Sequence, residues 1–579
     1  MELIRRLFGL YKIVFWLFDM DLNLSIFGNL SKEDSALMDK VSLESQSLCN
    51  QFVSQLADSN SLCELDLLLS IVSRNPLQSQ LPLIIDRLLL LRVKLKRGDK
   101  ISSITIEDSS MLPPIEEILN QFDVKIPMRI EGKKRHLTLE VLLQFIKSSY
   151  LIIISWFWPR FARMYRKRPK ESIVFVDTFA LPGSFTKEGE FADRYYTGYD
   201  QHLSYEQNRA IWYAPVLSGY RTLTGCIKMA LLSKKGKQNF LFQESWLTLF
   251  DYMQAMYQTI FLPLKIKHYP KLMGLDISKI LIDEVRKDFF SPSLLKAICR
   301  FKFVKRISLA NIEVCQVVNW HENQGIDKAL NLGFHKYYPS IAIKGYQGYI
   351  APSSWTHTVP QPFELVNQLL PDNLYVLSSK RKKEVLSNCP ELSVGLASSF
   401  RFSYLPNIAR NSASMKIRAT ILIALPIDIN ESKGILSSCA ELHSLTNQEV
   451  IILVKQHPTC SKDKFEKLVF EFRESEFKIV DDNMPKLLER ISLLISSASS
   501  TCAEAVSLGI PVAVYGNRYG VTANPIANTE SGITQVYYSQ DQLAEFVNNA
   551  LTTNNRGKNI EEYFYIDNGE SVKELFVCS

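Results

Sequence analysis

At 579 residues the chain exceeds one ordinary domain and should hold roughly two to four. Its 46% hydrophobic and 22% charged residues exclude a disordered chain, and 67 basic against 60 acidic residues leave +7, too little to indicate nucleic-acid binding. Ten cysteines are scattered with no C-x-x-C pair, which favours reduced thiols in a cytoplasmic protein over a disulfide framework or a zinc site.

The chain opens on MELIRRLFGLYKIVFWLF, which is basic and apolar. Asp19 and Asp21 follow without a small-residue cleavage site, so the stretch reads as an interfacial or a packed terminal helix rather than a signal peptide. Residues 31–97 read as helical with a break at Asn75-Pro76, and residues 1–97 form a helical N-terminal extension. A first α/β unit follows. Residues 101–106 alternate like a strand, Pro113-Pro114 open a helix over 115–122, and 124–126 suit the next strand. This unit begins a Rossmann-like domain expected over 98–405.

Residues 141–158 (VLLQFIKSSYLIIISWFW) are nearly long enough to span a bilayer, but Gln144, Lys147, Ser148 and Ser149 interrupt them and Pro159 ends them. Arg160, Arg163, Arg166, Lys167, Arg168 and Lys170 come next. Aromatic rings at headgroup depth beside cations facing anionic lipid suit a monotopic contact, at about 1 kcal/mol per charge. A buried helix with a solvated basic turn is the competing reading. Segment 141–170 is expected to place the protein peripherally on the inner face of the cytoplasmic membrane.

A strand at 172–176 ends in Asp177, and residues 205–217 with the helices up to about 301 fill the middle of the domain. The strand 315–319 leads into Trp320-His321-Glu322-Asn323-Gln324-Gly325, and the strand 340–345 into Tyr346-Gln347-Gly348-Tyr349. After a strand at 374–377, residues 400–414 (FRFSYLPNIARNSAS) lack periodicity and read as a linker. A second Rossmann-like domain is expected over 406–579, opening on a strand at 419–425.

Within that second domain, β-branched runs at 450–454, 493–495 and 512–515 alternate with helix-length segments, as βαβ units of a parallel sheet do. The second run enters a turn of small hydroxyl residues, Ser496 to Thr501, and then a short helix ended by Gly509 and Pro511. Such a turn offers backbone N–H groups, hydroxyls and a positive dipole end, which suits phosphate at the carboxyl edge of a sheet; an ordinary helix cap is the bland alternative. Lys455-Gln456-His457-Pro458 leaves the first run at the same edge.

K-x-H-P followed some forty residues later by S-S…E-A…G-x-P-V resembles the C-terminal domain of GT-B glycosyltransferases that build bacterial surface polysaccharides (capsule, lipopolysaccharide). The likeness is to sialyl-, polysialyl- and Kdo-transferases using CMP-sugars and to teichoic-acid-type polymerases using CDP-polyols. It implies that His457, Ser499 and Ser500 hold the donor phosphate, with Ser496 and Ser497 as rivals for the serine pair. The W-H-E-N-Q…G-Y-Q elements likewise resemble a bacterial surface-carbohydrate biosynthesis family, and the likeness covers roughly 101–517. Gly348 departs from it, standing where a His or Ser is expected after G-Y-Q.

The fold expected is therefore α/β, two Rossmann-like domains (GT-B) with an N-terminal helical extension. The donor site comprises Lys455, His457, Pro458, Ser499, Ser500, Thr501 and Glu504, whose carboxylate suits ribose hydroxyls or else is a solvent-exposed helix charge. Asp177, His321 and Glu322 are candidates for the general base, with helix capping as the competing role for Glu322 and Asn323. No D-x-D element stands in a metal-binding context, so a metal-independent transferase without cofactor is expected. Its partners would be a CMP- or CDP-activated sugar, a glycan or lipid-linked glycan acceptor and an anionic membrane surface, and no nucleic acid. A sugar-nucleotide epimerase of the UDP-GlcNAc 2-epimerase type and a non-catalytic assembly scaffold are the alternatives.

Overall fold

The computed structural model describes all residues except 1–19, 27, 133–136, 165, 167, 353, 412–418, 448, 459, 528–531, 553–557 and 579. The helix expected at the start of the chain, Lys167 and the end of the expected linker lie outside the described residues.

Two parallel sheets organise the molecule. The first contains Ile173–Ala180, Ile211–Leu217, Asn239–Phe240, Val314–Trp320, Ile343–Gln347, Asn373–Val376 and Ser393–Leu396. Counted in chain order within this half, they lie 3-2-1-4-5-6-7. The second contains Thr420–Ala424, Ile451–Lys455, Lys478–Ile479, Leu493–Ser496, Val512–Tyr515 and Thr534–Tyr537, lying 3-2-1-4-5-6. Every pairing is parallel. This is the doubly wound Rossmann order repeated, so the chain is α/β with two Rossmann-like domains in the GT-B manner. Each sheet reverses its winding between its first and fourth strands, which opens a crevice at the carboxyl edge.

Period-2 alternation distributes the first sheet between two cores. Ile173 and Phe175 face a core shared with the N-terminal helices, whereas Val174 and Val176 face one that continues to Leu422 and Leu494 of the second sheet. The far face of the second sheet, through Ile421, Ile423 and Ile495, closes a third core.

The N-terminal part is largely helical (Lys32–Ser59, Leu81–Lys96, Leu112–Gln121), but it also carries a sheet of its own. Met20–Asn23 pairs with Ile101–Ile106, which pairs with Met128–Ile130. The strand at 101–106 thus belongs to this small sheet and not to the first large one, and the third strand falls at 128–130 rather than 124–126. This unit grips both halves. Arg74 and Lys328 flank Glu364 of the first half at 2.8 and 2.7 Å, all three side chains being buried. Asp39 accepts from Thr522 N–H (2.7 Å) and from the Tyr538 hydroxyl (2.6 Å), and Arg87 donates to the Tyr519 carbonyl (2.8 Å) in the second half.

Three further expectations change. Residues 205–217 divide into a short helix and the strand Ile211–Leu217, which pairs with Ile173–Ala180 along its whole length. The tail does not stay with the second half. Helix Glu570–Phe576 returns to the first sheet, where Gln316 Nε2 donates to the Leu575 carbonyl at 2.8 Å and the Phe576 ring stacks on Tyr199 at 4.4 Å. That return brings Cys578 beside Cys315, their Cα atoms 5.6 Å apart, where the cysteines were expected to be scattered; the other eight cysteines are free.

Candidate functional site

The carboxyl edge of the first sheet is built around Glu322. The strand Val314–Trp320 ends on a fully buried indole, and Asn323 takes a positive φ of 56°, turning the chain sharply into the helix Gly325–Tyr337. Asp327 fixes this turn by accepting from the backbone N–H groups of Glu322 and Gln324, both at 3.0 Å. Gln324 is the helix cap, so the capping role considered for Glu322 and Asn323 falls to its neighbour. Asn323 instead donates to the His357 carbonyl at 2.8 Å. The Glu322 carboxylate accepts from Trp320 Nε1 (2.7 Å) and Gln324 Nε2 (2.6 Å). Each oxygen keeps a second acceptor position for an incoming proton. Burial is the largest influence on this group and raises its pKa above the usual carboxylate value, against the hydrogen bonds and Arg401, which lower it.

Aromatic rings wall this carboxylate: Tyr195 lies 4.5 Å and Tyr349 6.2 Å from the Trp320 ring. The packing explains Gly348, because a Cβ there would stand 2.3 Å from Tyr346 and 2.5 Å from Trp320. The expected side-chain contact from that position is therefore absent for a steric reason.

The other base candidates sit elsewhere. Asp177 lies inside Ile173–Ala180 rather than at its end, buried and ion-paired with Arg300, whose Nη2 also donates to the Ala214 carbonyl at 2.7 Å. Burial raises its pKa to about 6 and Arg300 opposes the rise. His321 is fully buried, with no hydrogen-bond partner for either ring nitrogen among the described residues, and burial pushes its pKa down to about 3.

At the second sheet the four serines separate by exposure. Ser496 is buried and donates to the Ala424 carbonyl at 2.7 Å, tying the first and fourth strands together at the winding reversal. Ser497 is buried beside Glu431. Ser499 and Ser500 are half-exposed. Ser499 Oγ accepts from Thr501 N–H at 3.3 Å, and Ser500 Oγ has no hydrogen-bond partner among the described residues. Thr501 is buried in the first turn of Thr501–Ser507. His457 is half-buried after Ile451–Lys455, in a turn closed by Cys460 N–H donating to the His457 carbonyl (3.0 Å), with Pro458 exposed at its corner. Its pKa is lowered, first by burial and then by Arg194 of the first half.

Two donor-site expectations are corrected. The Lys455 ammonium donates to the Asp482 carbonyl at 2.6 Å, so it braces the strand end. Glu504 is neither a solvent-exposed helix charge nor an open ribose acceptor: it is 4% exposed and accepts from the Tyr404 hydroxyl.

No protein-family model matches the chain, and no curated protein matches it. Among solved structures it is similar to S. aureus MnaA in a co-structure with UDP, at 11% identity over 69% of this chain and 94% of that one, with a TM-score of 0.37. It is similar to the wall teichoic acid polymerase TagF soaked with CDPG, at 11% identity over 76% and 96% and a TM-score of 0.33. It is also similar to Acinetobacter baumannii MurG, at 10% identity over 69% and 99% and a TM-score of 0.36. The fold assignment rests on strand order and direction, independently of these likenesses.

Two arginines that the sequence does not flag complete the site. Arg401 belongs to Phe400–Phe402, whose phenylalanines are buried, the first against Tyr346 (5.1 Å) and the second against Phe564 (4.6 Å). The start of the segment expected to be a linker is thus a packed element, Phe400–Phe402, that presents its middle residue. Arg401 acts electrostatically on Glu322 and on Glu504, one from each half, and no ion pair engages it among the described residues. Arg194, exposed in the loop after the first strand, acts on both Tyr195 and His457. No local pattern could have singled out either one, since each faces partners far away in sequence. Further along the second edge, a 390 Å³ cavity is lined by Asp428, Glu431 and Asn517 together with Ser45, Cys49 and Asp86 of the N-terminal unit.

Proposed function

We propose that the protein is a glycosyltransferase that moves a sugar from a nucleotide-activated donor to a hydroxyl of a surface polysaccharide or lipid-linked glycan. The observation that carries this reading is the meeting of two unlike edges. Glu322, with its raised pKa, stands at the winding reversal of the first sheet, half-exposed Ser499 and Ser500 stand at that of the second with His457 one strand away on the same edge, and Arg401 and Arg194 act electrostatically on residues of both halves. In the reaction the Glu322 carboxylate takes the acceptor hydroxyl proton as that oxygen bonds to the anomeric carbon. The bond from the anomeric carbon to the phosphate oxygen breaks, and its electron pair leaves with the nucleotide. Ser499, Ser500, His457 and Arg194 receive the phosphate charge through charge-assisted hydrogen bonds.

The resemblance of the H-P and S-S elements favours a CMP- or CDP-activated donor, and the lack of a D-x-D element after a strand favours a reaction that proceeds in EDTA. A thermal-shift panel of CMP, CDP, UDP and GDP tests the donor, with the cytidine nucleotides expected to raise Tm most. A larger shift with UDP would reassign the donor while leaving transfer in place. Interconversion of UDP-GlcNAc and its C2 epimer without an acceptor would make the protein an epimerase, and absence of any nucleotide response would make it a scaffold.

A further inference from the structure

The helix Leu137–Phe161 is apolar on two sides. One side is used inside the protein: Ser148 donates to the Phe290 carbonyl at 2.7 Å, and the buried Trp158 meets Phe242 edge to face at 5.6 Å. Leu142, Ile146, Tyr150, Ile153, Phe157 and Phe161 recur every three or four residues on the other side and are exposed, and only 17% of the apolar window is buried. The helix is long and apolar enough to cross a membrane, yet crossing would break the Ser148 and Trp158 contacts that hold it flat on the first half.

A second helix, Leu249–Phe261, lies beside it, and Ser155, Trp158 and Tyr252 line one 50 Å³ cavity between them. Tyr252, Ala255 and Thr259 point inward. Its only acid, Asp251, is held by Arg306 at 2.7 Å. Phe250 (63% exposed), Met253 (61%) and Tyr257 (58%) point outward with Phe261, and Leu264 continues the stripe. Exposed Arg163, Arg168, Lys170, Lys235 and Lys237 border the first helix, where the Lys234 ammonium donates to the Ala162 carbonyl at 2.6 Å and draws the two basic runs together.

We propose that these two helices form one face that docks on the surface of an anionic lipid bilayer, with aromatic and aliphatic side chains at headgroup depth and the bordering cations on the lipid phosphates. Charge complementarity selects this occupant. A second copy of the chain would set the same cations against one another across a two-fold axis, whereas an anionic bilayer meets each with opposite charge. The face belongs to the fold and does not depend on the reaction proposed above.

The test is flotation of the full-length protein with phosphatidylcholine vesicles and with vesicles also containing phosphatidylglycerol. Binding should favour the anionic vesicles by about tenfold and fall at high salt. The double variant Phe250→Glu, Met253→Glu, placed on the helix outside the apolar-basic run, should weaken binding by roughly tenfold with Tm unchanged. If that variant misfolds, Tyr257→Ser with Phe261→Ser carries the same expectation. Equal binding to both vesicle types, no binding to either, or undiminished binding of a folded variant would overturn the proposal. So would a lipid-free dimer of the wild type that the variant dissociates, which would assign the face to a second copy.

Discussion

The two carboxyl edges have the same strand order and opposite character. The first is dry: Glu322 sits among Trp320, Tyr195 and Tyr349, with His321 and Glu364 buried behind it. The second is open: its hydroxyls Ser499 and Ser500 and its imidazole, His457, are half-exposed, while the buried Ser496 is used to join strands. A carboxylate that must hold a proton near neutral pH needs desolvation, whereas a phosphate cradle needs accessible donors, so in the transfer proposed above one scaffold used twice would serve both ends of the reaction.

The sharpest way to break this contrast is Glu322→Gln. It should lower transfer by about 10²–10⁴-fold while nucleotide binding and Tm stay unchanged. The wild-type rate should climb as pH rises through the raised pKa of Glu322, and the variant should lose that limb. Equal loss of stability and activity would make Glu322 structural. Full activity there, with loss in Asp177→Asn, would move the base into the core.

Behind the dry edge, Glu364→Ala leaves Arg74 and Lys328 buried without their shared carboxylate. Urea unfolding should show a loss of about 3–5 kcal/mol. An unchanged midpoint would mean that this ion cluster relaxes into solvent and that the first edge is less dry than described. On the open side, Ser499→Ala with Ser500→Ala, and separately His457→Ala, should weaken cytidine-nucleotide binding by about 1.5–3 kcal/mol per charge-assisted contact, without loss of Tm. Calorimetry that found unaltered affinity would remove the phosphate role.

The smallest effect concerns acid stability. His321 and His357 have pKa values pushed down to about 3 by burial, from an ordinary 6.5. The unfolded chain therefore takes up these protons first, so the stability they contribute is present above pH 6.5 and is lost as pH falls toward 3. Asp177 and Asp193 work the other way. Burial raises both to about 6 from 3.8, so their contribution is present below pH 3.8 and fades as pH rises through 6. His357→Gln should flatten the fall of Tm between about pH 6.5 and 4, and the half-exposed His457→Gln should change it less. The reverse ranking would place the drier edge in the second half.

The second half was the more legible in sequence because its strands are buried on both faces and read as plain apolar runs, such as Leu493–Ser496 and Val512–Tyr515. Ile211–Leu217 was hidden by Pro215, which cannot donate to the ladder and yet sits opposite Thr178 inside the first sheet. Glu322 and the serine turn could be placed at the sheet edges because each follows a recognisable strand. The engagements of Lys455 and Glu504 could not be foreseen, because Asp482 and Tyr404 reach them only through the fold. Helix Leu249–Phe261 gave no warning of its outward face, since apolar residues lie on both of its sides and periodicity alone does not separate them.

The return of helix Glu570–Phe576 to the first sheet bears on how the protein is made. Domains usually fold as they leave the ribosome, the N-terminal one first. Here Tyr196 and Tyr199 are met by Phe576, and Gln316 by the carbonyls of Glu574 and Leu575. Until those last residues emerge, the first half must wait with an aromatic hollow open to solvent. A nascent chain stalled anywhere in the second half is then a substrate for chaperones, and separately expressed halves would need to be produced together to find one another.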